Sequence, residues 1–307
     1  MSAAEVQSAP AVLMVRPACF GFNAQTAGSN SFQHPGGERQ ATALLEFEGV
    51  ARALREAGVQ VLIAADTPSP AKPDAVFPNN WVSFHGDGTV ALYPMLAANR
   101  RLERREEIIE QVARDGGFRV SRTVDFTHHE AQGKYLEGTG SLVLDRVRRV
   151  AFACSSPRTD LDVLGDFAQQ LDYDLVTFDA LDAEGRPIYH TNVMMAVGSE
   201  FAIVCGESMP QASHRDAVCA KLRESGHTIV DITRPQMLNF AANALELATP
   251  SGRVLVMSST ALGSLNRTQR SQLESHARIV AVAIPHIETV GGGGVRCMLA
   301  EVHLPKS

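Results

Sequence analysis

Gly291-Gly292-Gly293-Gly294-Val295-Arg296-Cys297-Met298-Leu299 sets four consecutive glycines against a cysteine that opens an apolar, strand-like run. Four glycines lose more backbone entropy on folding than any other tetrapeptide. They therefore fit a place where a ligand must approach the main chain or where φ must be positive. A cysteine fixed directly behind them reads as a nucleophile if partners stand elsewhere in the chain. Alone, it reads as a small buried apolar residue after a flexible loop.

Outward from this segment, short apolar or β-branched runs recur at residues 12–15, 59–64, 89–93, 141–144, 150–154, 193–197, 201–205, 228–232, 254–257, 279–284 and 298–304. Between them, helical periodicity runs over 38–57, with a left-handed cap expected at Gly58, and over 100–113, stopping near Gly116-Gly117. Further helices are expected over 160–171, 208–225 and 268–277. The Arg and Glu cluster of 100–113 reads as a solvated, ion-paired face. Strands alternating with helices, and no proline-rich linker, indicate α/β or α+β in one domain over residues 1–307. Strand pairs separated by one helix return at roughly fifty to seventy residues, long enough for a unit repeated about an axis.

A chain of 307 residues, 45% hydrophobic and 20% charged, is ordinary for a soluble globular protein. Its net charge of −6 without a long basic run argues against nucleic-acid and anionic-membrane partners and makes small-molecule chemistry the default. The five cysteines, Cys19, Cys154, Cys205, Cys219 and Cys297, are odd in number and form no CxxC pair. Neither a disulfide framework nor a thiolate zinc site is indicated, and a cytoplasmic setting is expected. Residues 9–15 lack a basic preceding region and read as a first strand rather than a signal peptide, and no stretch is long enough to span a bilayer.

A cysteine hydrolase needs a proton shuttle, and imidazole suits it because its pKa lies near neutrality. Of ten histidines, His190 lies where a loop enters the apolar run Val193-Met194-Met195; it is equally read as a histidine bonded at a strand edge. Glu137, in Leu136-Glu137-Gly138-Thr139-Gly140-Ser141, is either a turn acid or a carboxylate facing a pocket. Asn79 and Asn80, beside the only tryptophan, Trp81, either form a turn or offer amides to a planar nitrogenous substrate. His128-His129-Glu130 are residue types that bind metal, but adjacent positions do not converge easily on one ion, and no metal site is expected. No phosphate or dinucleotide fingerprint is present.

Taken together, residues 74–81, Leu136-Glu137-Gly138-Thr139-Gly140, His190-Thr191-Asn192 and residues 291–298 resemble the guanidino-group-modifying superfamily, the penteins. It includes arginine deiminases, dimethylargininases, amidinotransferases and succinylarginine dihydrolases. The resemblance covers nearly the whole chain. It is closest to the branch of citrulline-utilisation hydrolases, also labelled amidinotransferase-like, through Arg16-Pro17, Phe20-Gly21-Phe22-Asn23, Phe77-Pro78-Asn79-Asn80-Trp81 and Glu137-Gly138-Thr139-Gly140-Ser141.

The resemblance implies a five-bladed α/β propeller of ββαβ units with pseudo-fivefold symmetry around a polar pocket. It implies Cys297 as nucleophile, His190 as proton shuttle, Glu137 as the carboxylate contacting substrate nitrogens or the histidine, and no cofactor. Asn80, Asn79 and Asn192 would contact substrate, Arg158 would bind a substrate carboxylate, and Asn23 would lie on the same rim. The implied partner is an amino-acid substrate, in a possible homo-oligomer.

Arginine deiminases carry carboxylates where this chain has Asn80 and Asn192. A buried guanidinium wants negative partners, whereas an amide can donate to a carbonyl oxygen. The expected substrate is therefore a neutral ureido amino acid, citrulline foremost, cleaved to ornithine, carbon dioxide and ammonia. An arginine derivative handled by a deiminase, dihydrolase or dimethylargininase, an amidinotransferase, and a non-catalytic pentein binding protein are the alternatives. Thiolate formation calls for electropositive help from an imidazolium or a cationic substrate. Arg296 is expected to face away from Cys297, because neighbours alternate along a strand.

Overall fold

Five times along the chain, a strand turns back into an antiparallel partner, or is supplied to one from afar, and the partner is followed by a helix and a parallel third strand. A computed structural model describes residues 5–36 and 39–307. Strands β1 (Ala11–Arg16) and β2 (Gln60–Ala65) run parallel, joined by the helix Gln40–Ala57. That helix ends at Gly58, whose φ of 94° is the expected left-handed cap; Glu38, where it was expected to begin, lies outside the described residues.

The next four units follow one plan. In the second, β3 (Val82–Phe84) pairs antiparallel with β4 (Thr89–Leu92), and the helix Glu106–Gly116 leads to β5 (Arg122–Asp125), parallel to β4. In the third, β6 (Val143–Asp145), β7 (Val150–Cys154), the helix Leu161–Leu171 and β8 (Asp174–Phe178) repeat it. The fourth has β9 (Met195–Val197), β10 (Phe201–Val204), the helix Ala212–Glu224 and β11 (Thr228–Asp231). The fifth has β12 (Leu245–Thr249), β13 (Gly252–Ser258), the helices Ser259–Ser264 and Arg267–Glu274, and β14 (Arg278–Val282). Finally β15 (Ala300–Val302) pairs antiparallel with β1 and completes the first sheet.

The result is a mixed α/β fold of five three-stranded sheets. Parallel strands cannot be joined by a tight hairpin, which is why a helix always separates the central strand from its parallel partner. Central strands are covered on both faces: β7 and β10 are buried throughout, whereas the outer β5 and β8 alternate or face solvent. Strand β15 lies against β3, β6 against β9, and β9 against β12. Among the described residues no helix is long and apolar enough to cross a membrane.

Two expectations are corrected. Residues 100–113 do not form one helix with a solvated charged face: a 3-10 turn, Ala98–Glu103, precedes the helix, and it buries Arg100 and Glu103 to 2% and 3% exposure. Nor does Cys297 open a strand. It sits in the 3-10 turn Val295–Met298, and β15 begins only at Ala300.

Candidate active site

Each first strand is preceded by a short turn, and these turns come together. They are Pro78–Asn80 before β3, Gly138–Ser141 before β6, Thr191–Met194 before β9, residues 240–243 before β12, and Val295–Met298 before β15. Asn80, Glu137, His190 with Asn192, Asn243 and Cys297 therefore occupy comparable places in five repeats. Two glycines make the approach possible. Gly138 has φ 46°, and a Cβ on it would stand 2.3 Å from the carbonyl of Asn79; a Cβ on Gly140 would stand 2.4 Å from Asn80 Nδ2 and 2.7 Å from His190 Nδ1.

Glu137 is fully buried at the N-terminus of its turn. Its Oε1 accepts from the backbone N–H of Leu96 (3.1 Å), and its Oε2 accepts from His190 Nε2 (2.9 Å) and Arg158 Nη1 (3.2 Å). Burial alone would raise this carboxyl, but Arg158 and His190 hold it well below the usual carboxylate range. An ionised carboxylate only accepts, so His190 carries its proton on Nε2 and leaves Nδ1 as a lone pair. Burial lowers the pKa of His190 to about 4 despite Glu137. The imidazolium considered above as a source of positive charge is therefore not the resting state: His190 is neutral at neutral pH.

Arg100, not singled out from the sequence, orients Asn80. Its Nη1 donates to Asn80 Oδ1 at 2.9 Å, while Nε and Nη2 each reach Glu103 at 2.9 Å. A guanidinium has no acceptor, so the amide oxygen of Asn80 must face Arg100. Asn80 Nδ2 is thereby turned away, buried and without a protein partner among the described residues. Burial raises Glu103 to about 7.

Cys297 is 4% exposed. Its Sγ accepts from Asn243 Nδ2 at 3.2 Å and lies 3.7 Å from Asn192 Nδ2, which also donates to the carbonyl of Thr139. Burial pushes the thiol up, and Asn243, Arg296 and Asn192 oppose that rise. Arg296, which donates to Glu301 and to the carbonyl of Leu299, thus also favours the thiolate by its charge. The expectation that it faces away rested on strand alternation, and the 3-10 turn removes that premise.

A small, partly open cavity, about 10 Å³, is lined by Asp74, Asn80, Arg158, Tyr189, His190 and Cys297 among others. It has room for about one water molecule. Arg158 is anchored to Ser29 Oγ (2.8 Å from Nη2) and to the carbonyl of Thr26, and stacks 4.9 Å over Tyr189. Asn23 does not line the cavity; it donates to Asp74 Oδ2 at 2.8 Å, leaving Oδ1 of this pocket carboxylate buried and unpartnered among the described residues. Asn79 is buried behind Asn80 and also lies off the cavity wall. A much wider surface cleft, about 860 Å³ beside Tyr135, Pro157 and Gln211, contains none of Cys297, His190 and Glu137. Chemistry rather than volume places the site.

His128 and His129 do converge, on Asp166 rather than Glu130, with Nε2 atoms 3.9 and 2.9 Å from its carboxylate. The hydrogen bond from His129 accounts for that grouping, and none of the three lines the cavity.

A family model described as N,N dimethylarginine dimethylhydrolase, eukaryotic, matches residues 16–304. Among solved structures, the arginine dihydrolase ArgZ from the ornithine–ammonia cycle in cyanobacteria superposes with a TM-score of 0.74 at 18% identity. The match covers 97% of this chain and 41% of ArgZ, so this chain spans well under half of that protein. The N-terminal domain of ArgZ, as a cysteine-to-serine mutant bound to substrate, is 99% covered by 97% of this chain, with the same TM-score and identity. DDAH from Pseudomonas aeruginosa, a cysteine-to-serine mutant complexed with citrulline, gives 0.68 at 18% identity over 95% of this chain and 99% of that one. At such identity these structures establish the likeness of fold. Among curated proteins, none matches significantly.

Proposed function

Because the chain belongs to the family described as N,N dimethylarginine dimethylhydrolase, eukaryotic, within the guanidino-group-modifying penteins, we propose that it is a cysteine hydrolase that cleaves the C–N bonds of a ureido amino acid, citrulline foremost, to ornithine, carbon dioxide and ammonia. The observation that carries this is the Asn80 amide. Arg100 fixes its oxygen, so this residue of the cavity wall keeps a buried, unpartnered N–H₂ donor. That donor matches the carbonyl oxygen of a urea and opposes the N–H groups of a guanidinium.

As the sulfur of Cys297 attacks the ureido carbon, His190 Nδ1 takes the thiol proton and Asn80 supports the oxygen on which charge develops. The proton then passes to the departing ornithine nitrogen, leaving an S-carbamoyl enzyme. Water, deprotonated by the same nitrogen of His190, displaces the sulfur, which takes that proton back from the imidazolium, and the carbamic acid released decomposes to carbon dioxide and ammonia. Glu137 holds the imidazole in the tautomer both steps use. In this reading the five sheets are blades of a five-bladed propeller in one catalytic domain, supported by the contacts between successive first strands.

Arginine is the second reading, favoured by the unpartnered Oδ1 of Asp74, which would attract a cation. Asn80→Asp separates the two. The introduced carboxylate accepts where the amide donates, so kcat/KM for arginine relative to citrulline should rise by about 100-fold. Product mass spectrometry with both substrates measures this, and an unmoved ratio would end the ureido argument.

The pH profile provides a further check. The active form has neutral His190 and a protonated thiol, so activity is lost as pH falls through the lowered imidazole value of about 4. We expect kcat/KM to be level from about pH 6 to about pH 8. An inflection at the ordinary imidazole value would show that His190 titrates as if exposed.

A further inference from the structure

We propose that Asn243 is a further catalytic residue: its amide holds the sulfur of Cys297 and stabilises the thiolate with an uncharged donor. This rests on Cys297 being the nucleophile. Asn243 Nδ2 lies 3.2 Å from Sγ and 3.2 Å from the backbone carbonyl of Asn192. The two hydrogens of one NH₂ group serve the two contacts. The carbonyl can only accept, so it fixes the nitrogen of Asn243, rather than the oxygen, beside the sulfur. Asn243 Oδ1 has no partner among the described residues although it is buried, an arrangement that is unfavourable in itself. A purely structural amide would be expected to satisfy both ends.

The surroundings explain why such a donor is needed. His190 is neutral, its Nε2–H is committed to Glu137, and a neutral urea brings no cation. Arg296 lends charge but is shared with Glu301, 2.8 Å away. The other ionisable groups around the cavity are Asp74, Arg100, Arg158 and Tyr189, with Glu137 behind them. Arg100 and Arg158 both sit near Glu137, which draws their charge away from the sulfur. Asn192 Nδ2 is more distant from Sγ, at 3.7 Å, and already donates to Thr139. Asn243 is the nearest donor to the sulfur among the described side chains, and it acts where the thiol proton is lost.

The test is the rate of alkylation of Cys297 by iodoacetamide across about pH 7 to 11, read by mass spectrometry of the peptide carrying it, in wild type, Asn243→Asp and Asn243→Ser; where the inflection lies beyond that range, the rate at fixed pH falls about tenfold for each unit it moves up. Asn243→Asp replaces the donor by an acceptor of the same shape. Its inflection should move up by about one pH unit or more and kcat/KM should fall roughly 100-fold. Asn243→Ser, with a shorter donor, should lie between. An inflection unchanged from wild type in the folded aspartate variant overturns the proposal. If that variant does not fold, an unchanged inflection in the serine variant does so. Failure of the underlying reading looks different: a Cys297→Ser enzyme that still turns over would remove the nucleophile itself, whatever Asn243 does to the alkylation profile.

Discussion

Replacing Cys297 by serine is expected to lower ammonia release from citrulline by roughly 10⁴-fold or more while the protein still folds and binds substrate. The exchange removes one sulfur from a site that is 4% exposed and puts a smaller oxygen in its place, so packing is little disturbed. What changes is acidity. Asn243 and Asn192 present hydrogen-bond donors at 3.2 and 3.7 Å that offset part of the rise burial imposes on the thiol, but far too little to ionise an alcohol. Neutral His190 cannot make up the difference, because burial has weakened its hold on a proton. Ornithine and ammonia should be quantified together and ligand binding measured by calorimetry. Turnover at more than a few per cent of wild type would show that the sulfur is not the attacking atom.

Glu137→Gln should damage stability and activity together. The carboxylate is the shared acceptor of His190 and Arg158, with Arg100 Nη1 3.8 Å from it. An amide of the same shape leaves two buried guanidinium groups without their common counter-ion, a loss of about 3–5 kcal/mol, or about 10 °C in Tm. It also removes the acceptor that fixes the His190 tautomer, for which a roughly 10³- to 10⁴-fold fall in kcat is expected. The pH dependence gives the sign. The folded pKa of Glu137 is depressed, so its stabilisation is present above the unfolded carboxylate value and is lost as pH falls through the folded one. The melting difference between wild type and variant should therefore be largest near neutrality and narrow in strong acid. A difference that is constant with pH, or a variant as stable as wild type, would mean the carboxylate is not the ionised centre of this network.

The strands with apolar interiors were legible from the chain: residues 150–154 were expected and β7 occupies them. Strands β5 and β8 were not, since Arg122-Thr123-Val124-Asp125 and Asp174-Leu175-Val176-Thr177-Phe178 are outer strands whose exposed residues carry no strong period. Cys297, His190 and Glu137 stand in distinctive local sequence, and the fold brings all three to one cavity or its wall. Arg100 was misread because Arg100-Arg101-Leu102-Glu103-Arg104-Arg105 looks like any solvated charged run. Only tertiary burial separates Arg100, inside, from Arg101 beside it. Asn243 carries no motif. The one clue available was its place two residues before a first strand, comparable with Asn80 before β3, and β12 itself was not recognised. Had the repeat been aligned on those strands, the fifth turn would have been the place to look.

Strand β15 gives the molecule a built-in order of events. It pairs Val302 with Ala11, so the first sheet stays open until the fifth repeat has been made. The same stretch carries Cys297, the proposed nucleophile, three residues upstream of that strand. A chain that lacks this region is therefore structurally unfinished, its first sheet missing one strand. Synthesis delivers the proposed nucleophile together with the strand that seals the sheet.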